Sequence, residues 1–363
     1  MKLGIVGLPN VGKSTIFNVM THNKAQTNNY MFSTLEPNVG MVDVPDDRID
    51  FLSKLYDTDK TTYATIEFVD IPGLVRGSNK GEGIGNKFLS SIQQVDALCH
   101  VVRCFDDDDL MHVDGSVNPV RDVETVNLEL IFSDIDMIER RIERTSKAAK
   151  SGDKSYIPIL KFYNDLKEHL LEGRMAKSFE FENTEQEAYM NELFLITVKP
   201  VLYVANVDEQ GMLEDNDYTK ALMSIAAAEG NEVIKVCAKF EEDLSSLDKE
   251  ERDIFLADLG ITETGLQRLI KKSYKLLDLM SFLTAGKKEV RAWTIKNNTT
   301  APKAAGKIHS DFERGFIRAE VFSYDDIKRL GSYNAVKEKG LVRSEGKTYV
   351  FKEGDIVLFR FNV

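Results

Sequence analysis

One octapeptide constrains this chain more than any other feature: Gly7-Leu8-Pro9-Asn10-Val11-Gly12-Lys13-Ser14. It fits G-x-x-x-x-G-K-[ST] and sits where that motif must sit, after the apolar run Leu3–Gly7 and before a helical stretch, Thr15–Met20. The glycines let backbone N–H groups converge on phosphate oxygens without a side chain in the way. The helix N-terminus that follows adds its dipole. The motif predicts a phosphate site made by Asn10, Val11, Gly12, Lys13, Ser14 and Thr15. Lys13 reaches the β/γ-phosphates and is counted among the catalytic residues, and the Ser14 hydroxyl ligates Mg²⁺.

The rest of the chain agrees with an α/β reading. Leu3–Gly7, Ile66–Asp70, Ala97–Arg103, Val201–Asn206 and Val233–Cys237 are apolar runs without strict alternation, as in a mostly parallel sheet covered on both faces. Between Asp122 and Thr197 no strand is evident. Asn127–Ala149 carries Leu128, Ile131, Ile135, Ile138 and Ile142 at helical spacing, which predicts a narrow seam in a helical hairpin. Ile157–Leu171 and Glu185–Leu195 continue in helical period. From about Phe282 a small α+β module begins, with strands at Glu289–Ile295, Gly315–Phe322, Gly346–Phe351 and Asp355–Phe361. A chain of 363 residues is too long for one ordinary core. The reading is three domains: a nucleotide-binding domain at 1–122 plus 198–281, a helical insertion at 123–197, and a C-terminal module at 282–363.

Composition narrows the setting. Three cysteines, Cys99, Cys104 and Cys237, with no C-x-x-C, argue against disulfides or a zinc site and for a reducing, cytoplasmic compartment. No stretch is long and apolar enough for a membrane span, and the N-terminus lacks a signal-peptide core. Residues 282–363 hold 16 Lys and Arg against 10 Asp and Glu, a balance of +6, which leaves −18 for residues 1–281. A basic end on an acidic body suits an anionic partner. The acidic run Asp106–Asp109 reads as a solvated stretch with no metal role.

Downstream of the loop, Asp70-Ile71-Pro72-Gly73 ends a strand and matches the D-x-x-G of GTPases. Asp70 would hold Mg²⁺ through water, and the Gly73 N–H would sense the γ-phosphate. Thr34 is the switch threonine that would complete the Mg²⁺ shell, and Gly73–Gly85 with Lys80 reads as a mobile switch. Where GTPases read guanine with N-K-x-D, this chain has Asn206-Val207-Asp208-Glu209. Asn206 is in place for N7 of a purine, Val207 replaces the lysine, and Glu209 is one methylene longer than the Asp that pairs with guanine. Losing a fitted polar pair costs orders of magnitude in discrimination, so ATP is expected over GTP. Cys237-Ala238-Lys239 stands where GTPases often carry Ser-Ala-Lys and could add a backbone contact.

These residues carry a resemblance. Residues 7–15, 68–75 (Phe-Val-Asp-Ile-Pro-Gly-Leu-Val), 80–89, 100–105 (His-Val-Val-Arg-Cys-Phe), 284–294 and 308–321 make the chain similar, over nearly its whole length, to the YchF family, an Obg-related branch of P-loop proteins. The resemblance implies a G domain, an inserted helical domain, a C-terminal TGS domain of β-grasp fold, preference for ATP, and a link to ribosomes. Ribosome and RNA contacts would run through the TGS and helical domains of a monomer. Leu74 stands where most GTPases place the Gln that orients water, which implies slow turnover. The resemblance offers His112 as the substitute, and related P-loops use Asn at position 10 to ligate K⁺. Members often carry Cys before the switch threonine, whereas this chain has Ser33. Two broader readings stand beside the ATPase switch: an RNA- or ribosome-docking module with structural nucleotide, and an ordinary GTP-specific relative. A metabolic kinase is disfavoured by the switch motifs and by residues 206–209.

Overall fold

Short runs of Val, Ile, Leu and Phe recur along the chain, and in the computed structural model, which describes residues 1–22, 38–71, 92–150 and 153–362, they become strands of two sheets. The strands are β1 (Lys2–Val6), β2 (Asn38–Asp43), β3 (Thr61–Thr62), β4 (Thr65–Asp70), β5 (Ala97–Arg103), β6 (Val201–Asn206), β7 (Glu232–Val236), β8 (Leu279–Ala285), β9 (Val290–Lys296), β10 (Phe316–Ser323), β11 (Arg343–Glu345) and β12 (Asp355–Phe361). Thr34, Ser33, Gly73, Leu74 and the Gly73–Gly85 stretch lie outside the described residues.

The chain forms two compact units, Met1–Gly40 with Glu67–Leu269, and Met41–Ile66 with Ile270–Val363. The first is built on a sheet of order β2-β4-β1-β5-β6-β7, in which β4, β1, β5, β6 and β7 pair in parallel. Every residue of β5 and β6 is buried, as expected of parallel strands covered on both faces. Parallel pairing brings the C-terminal ends of β1, β4, β5 and β6 to one edge, where α/β sheets place their ligands.

The helix Pro119–Ala149 runs for 31 residues. Asn118 caps it, accepting from the Arg121 N–H, and Pro119 opens it at a position where no N–H is needed. With Tyr156–Leu171 and Thr184–Leu193 it encloses a core of Ile131, Ile135, Ile138, Phe162, Leu166, Leu170, Met190 and Leu193. The narrow seam read from sequence needs correction. Leu128 is 44% exposed, while Asp122, Thr125, Glu129, Ser133 and Asp134 are buried. The first half of this helix is embedded in its unit, and Asp122, Thr125 and Asp134 point inward onto partners there, whereas the buried Ser133 hydroxyl makes no hydrogen bond among the described residues. Asp134 accepts from the N–H groups of Ile196 and Thr197 and from the Thr197 hydroxyl, at 2.7–2.9 Å.

The second unit is a six-stranded sheet of order β11-β10-β12-β8-β9-β3. Its core gathers Met280, Phe282, Ile295, Phe316, Val321, Phe351, Val357 and Phe359 under the helix Ala301–Ile308, whose Ala301, Ala304 and Ala305 let it approach the sheet closely. Here the boundaries read from sequence differ from the structure. Residues 41–66 and 270–281, which the sequence reading gave to the nucleotide-binding domain, are in this unit, and 123–197 is in the first. The reason is local: β3 pairs in parallel with β9, the Asp59 N–H donates to Lys287 O at 2.8 Å, and the helix Asp47–Tyr56 buries Ile49 and Leu52 completely. The expected strand Gly346–Phe351 is not one. Val350 makes a single bridge to Thr300, Phe351 turns into the core, and the strand is Arg343–Glu345.

A candidate nucleotide-binding cleft

The loop after β1 has the backbone its sequence requires. Gly7 and Gly12 have positive φ, and a Cβ at either would collide, with the Val101 carbonyl oxygen or the Asn206 amide. Asn10 also adopts the left-handed region, at φ 60°. The helix Lys13–His22 begins inside the motif, so its first N–H groups face the loop.

Lys13 is buried, and its Nζ donates to Leu8 O at 2.5 Å. Burial pushes its ammonium down to about 8, against the opposing pull of Asp70. An anion in the loop would draw the proton back. Ser14 Oγ donates to Asp70 Oδ2 at 3.3 Å, and β1–β4 pairing, with Ile5 opposite Asp70, fixes that carboxylate beside the loop. Burial raises the Asp70 carboxyl above its ordinary value, and Lys13 and Ser14 oppose that rise. A hydroxyl and a carboxylate side by side are the hard oxygen donors that Mg²⁺ takes, so this pair fits the ion that the motif implies.

Asn206, at the end of β6, is buried and ties two segments together. Its Nδ2 donates to Val11 O at 2.9 Å, and its Oδ1 accepts from the Ala238 N–H at 3.1 Å. One amide hydrogen remains for a base acceptor by valence. Val207 is buried, Asp208 caps the short helix Glu209–Leu213 by accepting from the Gly211 N–H at 2.8 Å, and Glu209 is that helix's first residue. The cleft above these residues has a volume of about 630 Å³. Asn10, Gly12, Lys13, Ser14, Thr15, Asn206, Val207 and Glu209 line it together with Cys237, Ala238 and Lys239. Val11 contributes only its carbonyl, to Asn206.

Sequence reasoning missed one wall. Phe105, Asp106, Asp107 and Leu110 also line the cleft. The acidic run therefore reaches the site instead of being merely solvated. Together with Asp208, Glu209 and Glu242 it makes the end away from Lys13 strongly acidic.

His112 is brought elsewhere. It is buried, its Nε2 donates to Asp122 Oδ2 at 3.0 Å, and its Nδ1 accepts from the Asp114 N–H at 3.1 Å. It does not line the cleft. Its neighbour Met111 points outward and offers its carbonyl to Asn10 Nδ2 at 3.2 Å. His112, Asp114 and Asp122 could in principle hold a metal ion. The Arg121 guanidinium already supplies the cation there, 3.4 Å from Asp114 Oδ2 and 2.9 Å from Asp122 Oδ1.

Comparison with known proteins places these features in context. Residues 2–137 match the family model described as 50S ribosome-binding GTPase, and residues 279–362 match YchF-GTPase_C, described as a protein of unknown function (DUF933). The chain is 52% identical over 362 residues to the ribosome-binding ATPase YchF of Bacillus subtilis (strain 168), covering 99% of each. It is 48% identical to the protein of the same name from Escherichia coli O157:H7, covering 100% of this chain and 99% of that one. The solved structure of the Schizosaccharomyces pombe YchF GTPase superposes with a TM-score of 0.83 at 34% identity, over 99% of this chain and 97% of the other.

Proposed function

The chain belongs to the YchF family, and from that premise we propose a ribosome-associated switch that binds ATP in preference to GTP with Mg²⁺ and hydrolyses it slowly to ADP and phosphate. The relatives' name, ribosome-binding ATPase, supports the coarse reading. The finer one rests on a single observation: one cleft joins the phosphate loop to a base end that is acidic and lacks the N-K-x-D reader. Guanine needs a short carboxylate set to accept two N–H groups. Here Asp208 is spent as a helix cap and Glu209 is longer. Adenine presents one exocyclic donor on that edge, which an acidic rim accepts readily.

In this reading the loop N–H groups and Lys13 bind the phosphates, Ser14 and Asp70 hold the metal, and Asn206 donates to the base. When bound, Mg²⁺ supplies positive charge to the β/γ-phosphate oxygens. Thr34 would complete the Mg²⁺ shell, and the Gly73 N–H would sense the γ-phosphate. Leu74 cannot orient water, so turnover is slow. For His112 to replace the missing Gln it must first leave Asp122, since both its ring nitrogens are engaged. Asn10 is the candidate K⁺ ligand. The basic residues of 282–363 and the helical hairpin carry the ribosome and RNA contacts of a cytosolic monomer.

Calorimetry with Mg²⁺-ATP and Mg²⁺-GTP tests the nucleotide. ATP should bind at least as tightly as GTP, Asn206→Ala should weaken both, and Glu209→Asp should move the ratio toward GTP. A wild type that binds GTP far more tightly would overturn the ATP reading and leave a GTP-specific relative.

A further inference from the structure

We propose that Arg103 is a positioning residue that builds the base end of the cleft by organising the loop 105–110. The proposal rests on reading the cleft as an ATP site. Arg103 ends β5 with 2% of its surface exposed, and it is among the largest fully buried side chains described. Its Nε donates to Phe105 O at 3.1 Å, one terminal nitrogen to Leu110 O at 2.7 Å, and the other to Asp107 O at 3.0 Å. The guanidinium also lies over the Phe105 ring, 4.9 Å from its centroid. A buried cation is costly unless its donors are met, and here one rigid fork meets three carbonyls of a single six-residue loop.

That loop ties itself at one turn, where the Asp109 N–H donates to Asp107 Oδ1 at 2.9 Å and the Leu110 N–H to Asp107 O at 3.3 Å. It reads Phe-Asp-Asp-Asp-Asp-Leu, and four adjacent carboxylates repel one another. Side chains from outside the loop assist: Asn216 Nδ2 donates to Cys104 O at 2.8 Å, and the Tyr218 hydroxyl donates to the Asp106 carboxylate at 3.0 Å. The residues so fixed, Phe105, Asp106, Asp107 and Leu110, are the cleft wall opposite in character to the phosphate loop. Arg103 itself does not line the cleft. Its effect on nucleotide therefore passes through the base end alone, and the phosphate end is held by other residues. Lysine cannot substitute, because a point charge with three donors on a flexible stem does not reproduce the planar fork.

The test compares two ligands on the full-length chain in Mg²⁺ buffer: ATP, and inorganic triphosphate, which has no base. By calorimetry, Arg103→Lys should lower ATP affinity about tenfold or more and leave triphosphate affinity within about twofold. Equal loss for both ligands would mean that Arg103 acts only through general folding, and no loss for either would mean that the loop needs no organiser. Either result overturns the proposal. Asp108→Gly guards against a variant that does not fold. It loosens the loop at an exposed position without touching the guanidinium or the cleft lining, and should give a smaller loss confined to ATP; an unchanged ATP affinity there also counts against the proposal. A wild type that binds ATP no more tightly than triphosphate would sink the underlying reading of the cleft, which is a different failure from that of Arg103.

Discussion

At the scale of single residues, the phosphate loop is a set of constraints that leave little freedom. Gly12 has a φ of 96° and lies against the Asn206 amide, so Gly12→Ala adds backbone strain and a collision at once. We expect it to abolish measurable Mg²⁺-ATP binding while far-UV circular dichroism stays close to wild type. Lys13 gives a pH dependence whose sign follows from its surroundings. Burial lowers its pKa from 10.5 to about 8, and bound phosphate, by supplying negative charge, raises it again. Binding therefore takes up a proton above pH 8. Affinity should be flat below that value and fall toward about tenfold per pH unit above it. Calorimetry in buffers of differing ionisation enthalpy would detect the proton directly. In Lys13→Met, binding should be weak throughout and the slope should vanish; a slope that persists would assign the titration to another group.

At the scale of elements, the helix Pro119–Ala149 is bolted to the rest of its unit through Asp134. Three donors converge on that carboxylate at the turn preceding β6, and none has access to water. Asp134→Ala leaves them unmet, and a loss of about 2–4 kcal/mol in urea denaturation is expected, since each buried unsatisfied donor costs about 1–3 kcal/mol and relaxation recovers part. A loss under about 0.5 kcal/mol would mean that water or a shifted turn replaces the carboxylate. Elements of this kind divide the legible from the illegible in the sequence. β1, β5 and β6 could be read because a fully buried parallel strand is a continuous apolar run. β2 escaped because half of Asn38–Asp43 faces outward, and β8 because it follows a helix with only Asp278, at φ 57°, to mark the change. The same division runs through the site. Gly7–Ser14, Asp70 and Asn206 are legible because each is tied to phosphate, metal or base chemistry at a fixed spacing. Phe105–Leu110 is not, because four aspartates look like solvent-facing surface until a buried arginine from the neighbouring strand is seen to hold their backbone.

At the scale of the whole molecule, the C-terminal module is not continuous in sequence. Residues 41–66, which run from within β2 to the start of β4, supply this unit with an edge strand and a helix. The helix Asp47–Tyr56 contributes Ile49 and Leu52, both fully buried, and its cap carries a charged network. Arg48 donates to both carboxylate oxygens of Asp46 at 2.7 Å and to Glu353, whose other oxygen accepts from the Ser281 N–H at 2.9 Å. A fragment of residues 282–363 would lose all of this, along with the first three residues of β8. Two buried aliphatic side chains are worth about 1.5–3 kcal/mol each, and a domain of this size has a total stability of only about 5–15 kcal/mol. The fragment should therefore lack a cooperative thermal transition. A fragment of residues 270–363 joined through a flexible linker to 41–66 should recover one. Cooperative unfolding of 282–363 alone would show that the sheet and the helix Ala301–Ile308 suffice, and that residues 41–66 decorate a module able to stand without them.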